Sequence, residues 1–581
     1  MKRAILNSGR LLASMTLLMG LAATASAAAP GITGPTFNLT AQPASLNQPD
    51  GEAVYSWGYG CNGAPTGFAP TLPNQTCPSM QVPGPTLIVT EGQTVTINLT
   101  NGLPTSAGNT SILFPGFQVT AHGVAANAIS PCATAPVGLL TTEVKPGCTV
   151  QYKFVASAPG THPYYSGTQG DLQIEMGLYG AVIVLPMNVP ANCTSGYHAA
   201  NLLAKAHWGE TDFTLAHAAY DHPGSCYDRE YLVQWAEMDA RIHKEALAQV
   251  TALAGCTAGA AGCSLEVQTE PYHPAYFLIN GRSMPDLMDP NYASEYPHQP
   301  YNANPHTHMG ELMLIRSIGQ GRWQHPFHEH ANHVRILGRD GNLVLTSTAA
   351  PCSGSPLPAG CVTFSNGIPG SDTPVAAPGL AGTLMFNTDT TPGQAFDGIF
   401  YFSGRGLNWD PYGHHPPLGG ASNAGLAAGD SAGDPLATLP CIPDVNGYNS
   451  RAPTAVNFME WCQDHDKPIE VNPFGDVPAG GPATLPDPNV FTNGAWYGGS
   501  PYLGPDATLR GNAPACASTT NANCTKLNPS NLQLNPANER GWAFMWHSHN
   551  EREITTNNVF PGGMLMMLLV DSREFVIDES L

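Results

Sequence analysis

The chain has 581 residues and a formal net charge of −21, with 11% charged residues, 62 glycines and 54 prolines. This length can supply two or three domains with sizeable cores. Abundant glycine and proline with few charges favours short strands and many turns over long helices. The negative charge argues against binding to nucleic acid or to anionic lipid.

The first 27 residues predict a secretory signal peptide. Lys2 and Arg3 precede an apolar run from Leu11 to Ala23, and Ala25-Ser26-Ala27 fits a cleavage site. No later stretch is long and apolar enough to span a membrane. We therefore expect a protein without a membrane span that is secreted, periplasmic or exposed on the cell surface.

The fourteen cysteines are even in number, and disulfides are the default for an exported protein. Sequence alone does not fix their connectivity. The simplest prediction joins sequence neighbours, which gives Cys61/Cys77, Cys132/Cys148, Cys193/Cys226, Cys256/Cys263, Cys352/Cys361, Cys441/Cys462 and Cys516/Cys524.

Residues 28–190 are predicted to form a first domain. We expect residues 31–78 to be a loop-rich lead-in with one strand near Tyr55-Ser56-Trp57. The alternation of apolar and polar residues from Thr94 to Thr100 predicts a half-buried strand. Two later segments, 119–123 and 160–167, each contain one histidine, His122 and His162.

A connector over residues 191–228 is predicted to lead into a second domain over residues 229–581. Residues Arg229 to Met238 predict its opening strand, and the alanine-rich stretch from Ala240 to Leu253 predicts a short helix. Residues from about 401 to 540 are rich in Gly, Pro, Asn and Ala, and they predict a long loop-rich insertion in this domain.

Two His-x-His triplets dominate the second domain. They are His328-Glu329-His330 and His547-Ser548-His549, each in strand-like sequence. Residues two apart on a strand point to the same face, so each triplet can present two imidazoles on one side. One triplet alone is more simply a chance loop feature. Two such triplets indicate a metal site, and imidazole suits copper, zinc, iron or nickel.

These motifs resemble those of the multicopper oxidases, and the likeness extends from about Val82 to Val570. That family ends its last cupredoxin domain with His-Pro-x-His-x-His and His-Cys-His motifs, which match residues 325–330 and 547–549. Pro83-Gly84-Pro85-Thr86 before a strand resembles the start of its first domain. The resemblance implies a mainly β fold: two cupredoxin-like Greek-key β-sandwich domains, with the long insertion in the second.

The resemblance also locates a degenerate type 1 copper site. His325 matches the first ligand, Ser548 stands at the cysteine position, and Glu553 stands where the second histidine would be. A serine hydroxyl is a hard donor and cannot replace the thiolate of a blue copper site. We therefore expect no ordinary type 1 centre.

The histidine cluster of the family is retained in part. Five matching positions keep histidine, namely His122, His328, His330, His547 and His549, whereas Thr120, Tyr165 and Gly167 replace it at the other three. His162 and Tyr165 are candidate substitute ligands. The resemblance implies copper, and zinc is the alternative because it needs only three or four such ligands.

The leading interpretation is an exported copper-binding protein, a copper-dependent oxidoreductase that acts on a small molecule or a metal ion without a type 1 relay. The alternative is a non-enzymatic metal-binding or structural cell-surface protein on a cupredoxin scaffold. Two-domain relatives are often trimers, so the resemblance implies either a homotrimer or a site closed within one chain.

Overall fold

The computed structural model describes residues 29–124, 132, 134–308, 311–330, 333–345, 361–363, 374–376, 380–401, 542–571 and 577. This part of the chain is mainly β, with twenty-four strands and three α-helices. The predicted signal peptide lies outside the described residues, as does the predicted insertion except for residue 401.

The first ten strands build one β-sandwich. They are β1 (Gly31–Thr33), β2 (Thr36–Asn47), β3 (Ala53–Cys61), β4 (Phe68–Ala69), β5 (Leu87–Thr90), β6 (Thr94–Asn101), β7 (Thr120–Val124), β8 (Thr149–Val155), β9 (Gly160–Tyr165) and β10 (Tyr179–Leu185). Sheet I has the order β4-β1-β5-β10-β9, and sheet II has the order β3-β2-β6-β8-β7. Apolar residues such as Trp57, Ile97 and Val182 fill the core between them.

The later strands build a second β-sandwich. They are β11 (Arg229–Met238), β12 (Tyr276–Ile279), β13 (His306–His308), β14 (Leu312–Gly319), β15 (His325–Glu329), β16 (Val334–Arg339), β17 (Asn342–Leu343), β18 (Cys361–Thr363), β19 (Pro374–Ala376), β20 (Leu384–Met385), β21 (Asn387–Thr390), β22 (Ala395–Tyr401), β23 (Trp542–Ser548) and β24 (Leu565–Asp571). Sheet III has the order β12-β11-β14-β22-β16-β17 with β20 beside β16, sheet IV has the order β13-β24-β23-β15-β21, and β18 pairs with β19. Trp235 of sheet III contacts Phe327 of sheet IV in the core, with ring centroids 4.7 Å apart.

Sheets I and III pack against each other and join the two sandwiches. Ile183 on β10 and Ile318 on β14 share one buried apolar cluster. Beside it, Asp397 on β22 accepts hydrogen bonds from the Thr161 hydroxyl at 2.5 Å and the Tyr220 hydroxyl at 2.7 Å. The four sheets therefore stack in the order II, I, III, IV, with sheets II and IV outermost.

The α-helices are α1 (Gly170–Gln173), α2 (Gly196–Trp208) and α3 (Ala240–Ala252). Helix α3 begins at a capping residue, Asp239, whose carboxylate accepts from the backbone N–H of Arg241 at 2.9 Å. Ile242 and Ala246 on this helix are buried in the core of the first sandwich. Among the described residues, no helix has the length and hydropathy that crossing a membrane requires.

The fold class predicted from the sequence is confirmed, because the described part of the chain is mainly β and forms two β-sandwiches. Strand β11 has the predicted bounds, and α3 lies within one residue of its prediction. The loop-rich lead-in was a wrong prediction, because residues 31–78 contain β1 to β4. In β2, Phe37, Leu39 and Ala41 alternate into the core, a short pattern that the flanking turn residues obscure. The division into domains at 28–190, 191–228 and 229–581 stays a prediction.

Four of the seven predicted disulfides are present: Cys61–Cys77, Cys132–Cys148, Cys193–Cys226 and Cys256–Cys263. Each of the other three predicted pairs includes a cysteine outside the described residues. The observed bridges close short loops around the first sandwich, the connector and the end of α3.

Candidate metal centre

Three of the predicted metal ligands converge on the outer face of sheet IV. Strand β15 pairs with β23 so that His328 lies directly opposite His547. His330 follows one residue after the end of β15, and its Nε2 lies 3.2 Å from Nε2 of His547. One ligand nitrogen from each of the three residues lies within 4.8 Å of the others. The strand register therefore brings together side chains that are more than two hundred residues apart in sequence.

His549 lies at the rim of this group. It is exposed and follows the last residue of β23. Its ring centroid lies 4.9 Å from that of His328 and 5.8 Å from that of His547. All four histidines of the two triplets are thus close together, with three at the centre and His549 toward solvent.

Backbone carbonyls fix the ring orientation of two of these histidines. His328 Nδ1 donates to the carbonyl oxygen of Phe386 at 2.5 Å, and His547 Nδ1 donates to that of Ser548 at 2.6 Å. A carbonyl can only accept, so Nδ1 carries the proton and the Nε2 lone pair is left for a ligand bond. Such a partner behind the ring is the usual support for a metal-binding histidine.

Burial keeps the central imidazoles neutral. Burial is the main cause, the neighbouring histidines add to it, and together they lower the pKa of His328 to about 4 and that of His330 to about 2. Burial also lowers the pKa of His547. Neutral imidazole is the form that binds metal. Three neutral rings with convergent nitrogens fit a copper or a zinc ion.

His122 lies elsewhere in the molecule. It is exposed on β7, the edge strand of sheet II, opposite Gln151 of β8. Because the sheets stack in the order II, I, III, IV, the chain does not bring His122 to the central histidines of sheet IV.

The two candidate substitute ligands also lie away from the centre. His162 on β9 is 1% exposed, and its Nε2 donates to the carbonyl oxygen of Ala158 at 3.1 Å. Tyr165, on the same strand of sheet I, lies beside Gly393 in the turn before β22. His162 contacts the ring of Phe117 and lies close to Gly341, whereas Tyr165 faces the junction between the sandwiches; neither lies on the outer face of sheet IV. The structure therefore does not bring either residue to the histidine group.

His325 and Glu553 do meet, but they bond each other. His325 Nδ1 lies 2.8 Å from Oε2 of Glu553, and the Ser548 hydroxyl donates to the same oxygen at 2.5 Å. The other ring nitrogen of His325 lies 2.8 Å from Oε2 of Glu237. We call these four residues the Ser548–Glu553–His325–Glu237 chain. Its members are buried, and the two nitrogens of His325 point to opposite carboxylates, so this donor set does not fit a type 1 copper ion.

Glu237 was not among the residues predicted from the sequence. It lies on β11, where every residue is buried. Its second oxygen, Oε1, accepts from the backbone N–H groups of Arg322 and Trp323 at 2.6 and 2.9 Å. A carboxylate within a fully buried strand needs hydrogen-bond partners. The signal in the sequence was an acidic residue inside the predicted strand from Arg229 to Met238.

Comparison with known proteins agrees with the predicted resemblance. The multicopper oxidase family profile matches residues 76–189. An L-ascorbate oxidase of Brassica rapa subsp. pekinensis is 36% identical over 104 residues, 18% of this chain and 16% of that protein. Laccase abr2 of Aspergillus fumigatus is 34% identical over 106 residues, 18% of this chain and 16% of that protein. The matched part of the chain thus spans about a sixth of the length of these relatives.

Among solved structures, a multicopper oxidase termed mgLAC aligns with 94% of this chain and 88% of its own, at 13% identity and a TM-score of 0.40. The resemblance to multicopper oxidases is confirmed by the family profile over residues 76–189.

Proposed function

We propose that this chain is an exported copper protein and a copper-dependent oxidoreductase whose reactive centre is the histidine group on sheet IV. The convergence of His328, His330 and His547, with ligand nitrogens within 4.8 Å of one another, is the observation that supports this most directly. Copper held there would supply one-electron redox chemistry toward a small-molecule or metal-ion substrate. Zinc fits the same nitrogens, but the family resemblance favours copper.

The protein's own groups prepare the centre for the ion. The carbonyls of Phe386 and Ser548 hold the protons of His328 and His547 on Nδ1, which turns each Nε2 toward the centre. Burial keeps these rings unprotonated, so binding requires no deprotonation near neutral pH. The strand pairing fixes the spacing of the rings before the ion arrives.

In our proposal the substrate would donate electrons directly to the copper-loaded centre, and dioxygen would be the oxidant that accepts them. The Ser548–Glu553–His325–Glu237 chain occupies the place of the mononuclear copper relay. His549 is exposed beside the centre, and Phe386 is 48% exposed next to His328 and His333. These residues form a rim at which a small reductant can approach the ligands from solvent.

A homotrimer is the assembly we propose, in which His122 of one copy completes the centre of the next. His122 is exposed on an edge strand. The nearby loop is strongly apolar at its tip, with Val137, Leu139 and Leu140 exposed at 92%, 95% and 65%. Exposed apolar residues beside an exposed candidate ligand favour a contact with another copy.

Export to the periplasm, the cell surface or the medium is consistent with the disulfides. The four observed bridges require an oxidising compartment to form and persist. The predicted signal peptide would deliver the chain there.

Oxygen consumption by copper-loaded protein tests the oxidoreductase proposal. We expect uptake with a phenolic reductant or with Fe(II), loss of uptake in His547→Ala, and retention in His217→Ala. His217 is a matched control, because it is partly exposed and pairs with Asp212 at 3.7 Å. Copper binding without oxygen uptake for any reductant would contradict an enzyme and support the non-enzymatic alternative.

Mixing two inactive variants tests the shared site. In a trimer of the proposed kind, His122→Ala chains and His547→Ala chains would form some interfaces in which all ligands are native. We expect mixtures refolded together to recover part of the copper content. A monomer by light scattering, or no recovery in co-refolded mixtures, would contradict the shared site.

A further inference from the structure

Met545 and Met567 lie in line with His330 on two neighbouring strands of sheet IV. The backbone N–H of His330 donates to the carbonyl oxygen of Met545 at 3.3 Å, so these residues are neighbours on β15 and β23. Met545 in turn lies opposite Met567 of β24 in the antiparallel register. Side chains directly opposite on neighbouring strands have Cβ atoms roughly 4.5–5.5 Å apart. One imidazole and two thioethers therefore lie in one cross-strand row.

This row lies on the same face as the metal centre. Phe544 and Trp546 flank Met545 in sequence, and both point into the core with 1% exposure. Side chains alternate along a strand, so Met545 points to the opposite, outer face, as His547 does. The flanking residues of Met567, Met566 and Leu568, are likewise fully buried. Both methionines are half-buried on the outer face.

The row also contains a potential metal ligand, the Nδ1 atom of His330. His330 is 3% exposed, and its Nδ1 has no hydrogen-bond partner among the described residues. A buried ring nitrogen without a partner is costly unless something binds it. Thioether sulfur is a soft ligand that selects Cu(I), and unbranched methionine side chains can reach a shared ion.

We propose that Met545 and Met567, together with His330, form a binding site for Cu(I) beside the histidine centre. The site would receive copper in its reduced form and pass the ion to the adjacent imidazoles, of which His330 belongs to both sites. This role rests on the proposed function, because it assumes that the histidine centre holds copper.

Anaerobic competition for Cu(I) against a coloured chelator tests the site. The double variant Met545→Leu/Met567→Leu keeps volume and apolar character, so the fold should be retained. We expect its Cu(I) affinity to fall by on the order of tenfold or more and the copper–sulfur scattering in X-ray absorption spectra to disappear. Met187→Leu is the control, since Met187 is 59% exposed and follows β10 of the first sandwich.

Separate Cu(II) measurements distinguish this inference from the proposed function. The double methionine variant should still bind Cu(II) at the imidazoles, whereas His547→Ala should not. Cu(I) affinity unchanged in the double variant, or spectra of the wild type without sulfur ligands, would overturn the methionine site alone. Methionine-dependent Cu(I) binding with no Cu(II) binding would support this site and contradict the histidine centre.

Discussion

His325 and Glu553 form a hydrogen-bonded pair in the core of the second sandwich, with His325 Nδ1 2.8 Å from Glu553 Oε2. The family resemblance predicts a metal ligand at the first position and a replaced ligand at the second. The ring also meets Glu237 at 2.8 Å on its other side. An imidazolium between two carboxylates thus joins β11, β15 and the turn after β23. It cross-links these segments as a bound metal ion would.

The His325 pair predicts a pH-dependent stability. Burial opposes protonation of His325, but the hydrogen bonds and charges of Glu237 and Glu553 outweigh it and raise its pKa to about 9. Its unfolded pKa is about 6.5. The contribution to stability is therefore complete below about pH 6.5 and is lost as pH rises through about 9. Urea unfolding should show that the free energy of unfolding of the wild type declines from about pH 6.5 to about pH 9, and that it declines less in His325→Gln.

The same variant should be less stable near pH 6, by about 3–5 kcal/mol, because two buried carboxylates lose their partner. His217→Gln is the control, since that side chain is 26% exposed. An equal decline with pH in wild type and His325→Gln would show that the imidazolium does not link these strands.

Copper bound to this protein should lack the intense blue colour of a thiolate site. Ser548 stands at the cysteine position, and its hydroxyl donates to Glu553. Ser548→Cys alone should not produce the full colour, because Glu553 replaces an imidazole and His325 is already held by two carboxylates. Visible absorption after copper loading is the measurement. A deep-blue wild-type protein would contradict the prediction that no type 1 copper site forms.

The junction between the sandwiches should depend on Asp397. Its carboxylate accepts from Thr161 and Tyr220, and it lies 3.5 Å from Nη1 of Arg316, all of them buried. Breaking a buried pair of this kind costs about 3–5 kcal/mol, so Asp397→Asn should lower the free energy of unfolding clearly. Glu270→Gln, which removes an ion pair whose acid is 69% exposed, should change it by about 1 kcal/mol at most. Equal effects of the two variants would contradict a structural role for the buried pair.

Removal of single disulfides should destabilise the protein in order of loop length. The bridges Cys193–Cys226, Cys61–Cys77 and Cys256–Cys263 span separations of 33, 16 and 7 residues. Loop-closure entropy predicts losses of about 3.7, 3.1 and 2.4 kcal/mol respectively. Denaturant unfolding of the three double Cys→Ala variants measures them. The reverse order would show that native-state packing, and not loop closure, sets these contributions.

Local patterns in the sequence predicted those strands and helices that are marked by the periodicity or composition of their own residues. Thr94 to Thr100 alternates, and β6 is there; the alanine-rich run after Asp239 is α3. The same-face position of the two histidines within a triplet also followed, because the period of a strand places His328 and His330 on one face. The sheet register that sets His328 opposite His547 required the tertiary fold.

Contacts between segments that are far apart in the chain could not be predicted from the sequence. Nothing near His325 indicates that Glu237, 88 residues away, would bind its ring. The position of His122 was equally hidden, since it depends on the stacking order of four sheets and not on the motif around it. Motif matching identified candidate ligands, and only the packing separated those that meet from those that do not.

Copper content measured together with thermal melting tests the central claim most directly. Copper that binds only the folded protein raises its melting temperature by mass action. We expect wild type and His217→Ala to bind copper and to melt higher when it is present, and His330→Ala and His547→Ala to lose both the copper and the shift. If His330→Ala and His547→Ala both keep full copper content and the full shift, the metal is bound elsewhere and the claim is wrong.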